Sequence, residues 1–159
     1  MIGQVELATF GAGCFWGVEA RFRELRGVLD ATSGYMGGES QPDYHAVCTG
    51  TTGHAEVVQV KFDPEQVSYE TLLALFFEMH NPTTLNRQGP DIGSQYRSVV
   101  FFHSAAQEKA ANKTITEIDE SGRWSQPVVT QVQEAPQFWP AEEYHQRYLE
   151  KRGLGACRI

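Results

Sequence analysis

The segment Thr9-Phe10-Gly11-Ala12-Gly13-Cys14-Phe15-Trp16-Gly17 puts a cysteine where glycines turn a strand end into a helix start. The first turn of a helix leaves amide hydrogens unpaired and carries partial positive charge. A thiolate there is stabilised, so Cys14 is predicted to have a lowered pKa and to be a nucleophile at neutral pH. The glycines, lacking Cβ atoms, would let a substrate come close to the sulfur. Free cysteines are most often small buried hydrophobes, but the helix-start position outweighs that reading for Cys14. A dinucleotide loop would need a third glycine where Trp16 stands. Phe15 is in phase with the core face of the helix. Trp16 is out of phase and is predicted to line a pocket over Cys14, selecting a small apolar group beside the reacting atom.

A proton donor would complement such a thiol. Glu56, in Gly53-His54-Ala55-Glu56, shares a strand face with Val58, Val60 and Phe62. If that face meets the core, desolvation raises the carboxyl pKa and makes it an acid near neutral pH. The alternative is a frayed strand end with the carboxylate paired to a lysine or arginine. Tyr44 and Tyr96 lie in polar surroundings and are able to donate to a substrate oxygen, or simply to edge a core. Cys157 follows Gly153-Leu154-Gly155-Ala156 near the terminus, where a mobile thiol could swing to an oxidised Cys14. By itself it also reads as an incidental exposed thiol. Cys48, in a short helix after Ala46-Val47, is expected to be buried and inert. Three widely spaced cysteines make a poor disulfide framework, and five scattered histidines give little support to a metal site.

The elements that would position these groups are legible from periodicity. Val5 to Phe10 reads as a strand, broken by Gly11-Ala12-Gly13, and Phe15, Val18, Phe22 and Leu25 recur at helical spacing from about Cys14 to Arg26. Val28 to Tyr35 reads as extended, and Asp43 as the cap of a helix through Cys48. Ala55 to Phe62 is the clearest strand. Ser68 caps a helix that His80-Asn81-Pro82 stops, because proline has no amide hydrogen. Asn86 to Gln95 reads as a polar loop and Ser98 to Phe102 as a strand. Ser104 and Gln107 form a capping box for a helix to about Glu120. Val128 to Val132 is predicted as the last strand, with a helix near Glu142 to Lys151. Strands interleaved with helices imply an α+β fold, a two-layer sandwich with a mixed β-sheet packed by helices around a ferredoxin-like core.

Composition narrows the function classes. The 159 residues suit one domain, read as 1–159 with a mobile tail from about residue 150. A net charge of -7 argues against general affinity for nucleic acid or an anionic membrane. No apolar run reaches membrane-span length and Met1 to Phe10 carries no secretory pattern, so a cytoplasmic location is expected.

Four blocks, in order, resemble the peptide methionine sulfoxide reductase A family: Gly13-Cys14-Phe15-Trp16-Gly17; Gly34-Tyr35-x-Gly37-Gly38; Tyr44-x-x-Val47-Cys48-x-Gly50-x-x-Gly53-His54-Ala55-Glu56; and Arg87-Gln88-Gly89-x-Asp91-x-Gly93-x-Gln95-Tyr96-Arg97-Ser98. The match runs from Thr9 to about Tyr148. The resemblance implies an oxidoreductase that reduces methionine S-sulfoxide, free or in proteins, and so repairs oxidised proteins. By the same resemblance Cys14 attacks the sulfoxide sulfur and becomes a sulfenic acid, Glu56 supplies the proton, and Tyr44 and Tyr96 support it. Phe15 and Trp16 hold the substrate methyl, and Asp91 lies near the substrate. A second cysteine condenses with the sulfenic acid, and thioredoxin reduces the disulfide. No metal and no cofactor are implied beyond thioredoxin or a dithiol as external reductant. Ala156 replaces a tyrosine common beside the resolving cysteine, and no further recycling cysteine follows, so Cys157 would resolve directly. The competing readings are a cysteine hydrolase, which needs a histidine base beside Cys14, and a non-catalytic binding module with an ordinary thiol.

Overall fold

The computed structural model describes residues 5–38, 44–48 and 52–151. Asp43 and Cys157, both singled out above, lie outside these described residues. The strands β1 (Glu6–Ala12), β2 (Val28–Met36), β3 (Ala55–Phe62), β6 (Ser98–Phe102), β7 (Gln131–Glu134) and β8 (Trp139–Pro140) form a sheet in the order β7-β6-β1-β3-β2-β8. The strands β4 (Arg87–Gln88) and β5 (Asp91–Ile92) form a separate hairpin. All neighbours in the large sheet are antiparallel except the parallel pair β6-β7, so it is mixed. The helices are α1 (Phe15–Arg23), α2 (Tyr44–Cys48), α3 (Tyr69–Glu78), α4 (Ala105–Ser121) and α5 (Tyr148–Lys151). The chain is thus an α+β sandwich, with its central strands β6-β1-β3-β2 linked through α1 and α3. Among the described residues no helix is long and apolar enough to cross a membrane.

Alternation along the strands sorts side chains between two faces. Phe10, Val58, Val60, Phe62 and Val100 face the main core, with Phe22 of α1 and Leu72, Leu73 and Phe76 of α3. Met36, Ala55, Val57, Val99 and Phe101 form a smaller cluster on the opposite face, under Ala135 and Phe138. β3 is therefore buried on both faces along most of its length.

Several boundaries depart from the sequence reading for local reasons. The glycine of Gly11-Ala12 does not break β1, because both residues pair with Val99 and Ser98 of β6. Helix α1 stops at Arg23 rather than Arg26, since Leu25 and Val28 amides turn back to Phe22 and Leu25 and Gly27 takes φ 99°. Strand β7 starts at Gln131 because the Val128 amide goes to Asp119 Oδ1 and the Val129 amide to Pro82, leaving none for the ladder. The polar loop from Asn86 contains the β4-β5 hairpin. Ser104 caps α4 as expected, accepting from the Gln107 amide at 3.2 Å. The Gln107 side chain, however, accepts from His103 N–H and donates to the Leu7 carbonyl, tying α4 to β1. The helix expected over Glu142 to Lys151 is a 3-10 turn (Glu143–His145) and short α5, separated by Arg147 at φ 52°.

Candidate active site

Cys14 is the N-cap of α1, with extended backbone angles and the helix following at Phe15. Gly13 is required by geometry: its φ of 95° favours a residue without Cβ, and a Cβ there would meet the Gln88 side chain at 3.0 Å. Gln88 also exchanges hydrogen bonds with the Asn81 backbone, so the hairpin is pinned between the end of α3 and the Cys14 turn. At Gly11 a Cβ would meet Val99 at 2.8 Å. The glycines thus serve turn and packing.

The Cys14 thiol does not have the lowered pKa expected of it. Burial pushes the thiol up to about 12; the Trp16 and Gly17 amides pull it down and the Glu56 and Asp91 charges push it up. The helix start acts in the predicted direction, but desolvation outweighs it.

Glu56 is 1% exposed, on the core face. The paired-to-a-cation alternative is absent: Oε1 accepts the Phe15 amide at 3.3 Å, and Oε2 is buried without a partner among the described residues. The carboxyl therefore sits against the peptide next to the nucleophile. Burial raises it to about 7, with the Phe15 amide opposing and Asp91 adding to the rise.

Tyr96 closes the 3-10 turn Ser94–Tyr96 and is half-buried. Burial first, then the charges of Glu56, Cys48, Asp91 and Cys14, push it to about 12. All five groups therefore share one electrostatic neighbourhood. Tyr44 begins α2, and its hydroxyl bonds to the sulfur of Cys48 one turn later; burial and that bond raise its pKa. Cys48 is exposed, contrary to the expected buried thiol. With α2 only five residues long, Val47 fills the core position and the next side chain faces outward. Partial desolvation raises the Cys48 pKa, with the Tyr44 hydrogen bond opposing.

On one side of Cys14 lies a mostly apolar cavity of about 360 Å³, walled by Trp16, Gly17, Met79, Asp91 and Leu149 among others. Trp16 and Asp91 both line the cavity that Cys14 borders. Phe15 is not on this wall. It is buried, with its ring against Tyr35, Tyr44 and His145, which is the plain core role its helical phase allowed.

Three residues near the site escaped the sequence reading. His145 accepts the Trp16 indole N–H on Nδ1 at 2.9 Å and packs against Phe15 and Tyr44. The Tyr148 ring stacks on Trp16 with centroids 3.8 Å apart. Glu142 accepts from the Tyr35 hydroxyl and the Tyr44 amide, both at 2.8 Å. Burial alone would raise Glu142, but the Tyr44 amide, its own amide and Tyr35 hold it below the usual carboxylate range. The only signal was the aromatic and histidine content of 144–148 in the stretch read as a helix near Glu142 to Lys151. A hydrolase pairing finds no support in His145, whose Nδ1 is taken by Trp16.

A family model described as peptide methionine sulfoxide reductase matches residues 6–159. Among curated relatives, the peptide methionine sulfoxide reductase MsrA of Geobacter metallireducens is 57% identical over 155 residues, 97% of this chain and 96% of that one. That of Acidobacterium capsulatum is 58% identical over 153 residues, 96% and 98% of the two chains. Among solved structures, reduced Mxr1 of Saccharomyces cerevisiae aligns with a TM-score of 0.90 at 39% identity, over 97% of this chain and 89% of that one. Mxr1 in complex with Trx2 aligns with a TM-score of 0.66 at 29% identity, over 91% and 85%.

Proposed function

The chain belongs to the peptide methionine sulfoxide reductase family, and on that premise we propose how its site does the chemistry: Cys14 attacks the sulfoxide sulfur while Glu56 protonates the oxygen. The protein is an oxidoreductase that reduces methionine sulfoxide with its thiols, and thioredoxin recycles it. The observation that carries the assignment of roles is the Glu56 carboxyl. It is buried against the Phe15 amide, with a pKa near 7 and one oxygen left without a partner. A carboxylic acid in that state holds its proton near neutral pH on the unpartnered Oε2, from which it can be delivered.

The sulfur–oxygen bond is strongly polarised, and its oxygen leaves poorly as an anion, so proton delivery must accompany attack. Burial keeps the Cys14 proton on sulfur near neutral pH. The thiol proton is released to solvent, with the Trp16 and Gly17 amides stabilising the thiolate; Glu56, having given its proton to the oxygen, is reprotonated from solvent after the step. The oxygen passes to Cys14 as a sulfenic acid and methionine leaves. Tyr96, and Tyr44 once turned from Cys48, donate to the same oxygen. Trp16 walls the methyl side of the cavity and Asp91 its polar rim. Phe15 supports that wall from within the core. Cys157 then condenses with the sulfenic acid, releasing water, and the external dithiol reduces the disulfide. The substrate is the S epimer, free or in proteins. The chain acts as one catalytic domain without a bound cofactor. Its free thiols suit the reducing cytoplasm.

The test is turnover of the separated S- and R-sulfoxides of methionine with dithiothreitol, in wild type and Cys14→Ser. Wild type is expected to consume the S epimer alone and Cys14→Ser neither. Turnover retained in Cys14→Ser overturns the roles given. Peptide mapping after one turnover is expected to join Cys14 to Cys157; a dominant Cys14–Cys48 bond would reassign the resolving thiol.

A further inference from the structure

Glu19 is a carboxylate, 1% exposed, in the middle of the helix that begins at Cys14. It is fully occupied. Oε1 accepts the Ser33 hydroxyl, Oε2 accepts the Arg23 guanidinium, and both oxygens lie 2.9 Å from the Arg147 amide. Arg147 is one of two non-glycine residues among the described ones with a left-handed backbone, at φ 52°. A buried charge therefore holds a strained peptide 128 residues away in the chain.

The strap that this peptide belongs to, residues 141–151, returns to the site. Gln146 continues the grip by exchanging side-chain hydrogen bonds with the Ser33 backbone. On either side of Arg147, His145 takes the Trp16 indole N–H, Tyr148 stacks on the Trp16 ring, and Leu149 walls the Cys14 cavity. Trp16 lies one helical turn before Glu19. The two ends of the circuit are thus on α1, and the strap closes it.

We propose that Glu19 is a positioning residue for substrate binding: by gripping the Arg147 amide it sets the strap at the height where His145 and Tyr148 fix the Trp16 wall of the Cys14 cavity. The inference rests on the reading of Trp16 as the wall that holds the substrate methyl. Glutamine at position 19 keeps the volume but offers one acceptor oxygen to three donors, and turns an NH2 toward them. The strap then loses its anchor while Cys14, Glu56 and Tyr96 keep theirs.

The experiment measures KM and the single-turnover rate at saturating S-sulfoxide for the full chain with dithiothreitol. Glu19→Gln is expected to raise KM about tenfold, the scale of a lost hydrogen bond to a charged group, with the single-turnover rate kept within about twofold. Glu19→Asp, which withdraws the carboxylate by one methylene, is expected to raise KM less and serves if the amide variant fails to fold. Tyr148→Leu is expected to raise KM too, and the double variant with Glu19→Gln no further, because both act through one wall. Ser104→Ala removes the N-cap of α4 without touching Glu19, Trp16 or the strap, and is expected to lower Tm with KM unchanged. A wild-type KM in a folded Glu19 variant, or an equal KM rise in Ser104→Ala, overturns the inference. Failure of wild type to turn over methionine sulfoxide would instead strike the functional reading.

Discussion

Glu19 and Glu56 are two carboxylates buried to the same degree, one mid-helix in α1 and one near the start of β3, yet their surroundings are opposite. Four hydrogen bonds saturate Glu19. Glu56 has a single, long bond from the Phe15 amide and an orphaned oxygen. Burying an ionised carboxyl is unfavourable unless donors replace water. Where they do, as at Glu19, the carboxylate ties elements together. Where they do not, the proton stays on and becomes available for chemistry. Equal burial therefore says little about role; the count of donors separates a clamp from an acid.

The contrast can be broken most directly at Glu56. Glu56→Gln is expected to slow the single-turnover reduction by roughly 10²–10⁴-fold, the scale for a positioned general acid, with the cooperative unfolding transition preserved. An unchanged rate would make Glu56 a second structural carboxylate. At the other site the expected effect is on stability. Ser33→Ala removes one donor from Glu19 and should lower the unfolding free energy by about 2 kcal/mol in urea titrations, as befits a buried bond to a charged group. A change near zero would mean that the remaining donors suffice and that the clamp is loose.

The pH dependence sharpens the comparison further. With Glu56 near 7 and Cys14 near 12, the reactive form needs the acid protonated and the thiol ionised. Below pH 7 the acid is already protonated and thiolate grows with pH, so kcat/KM should rise about tenfold per unit. Above pH 7 loss of the Glu56 proton offsets the gain in thiolate, so the profile should flatten. In Glu56→Gln the break near 7 should vanish and the smaller rate continue to climb. A break retained in Glu56→Gln would assign it to another group.

Much of this was legible in the chain itself. The alternation Glu56, Val58, Val60, Phe62 placed the carboxyl on one face with three apolar residues, and glycines before Cys14 placed the thiol at a helix start, because strand and helix periods are local properties; that the face met the core, and not a frayed end, came from the packing. Strand order, the exposure of Cys48 and the pKa of Cys14 were not, since each depends on what packs from elsewhere. The amphipathic spacing in α1 marked Trp16 as facing away from the core but had nothing to say of His145 or Tyr148, more than a hundred residues on. Local spacing determined which residues could be nucleophile, acid and wall. Only the tertiary structure decided their charge states, because desolvation and the number of donors reaching a buried group are sums over distant segments.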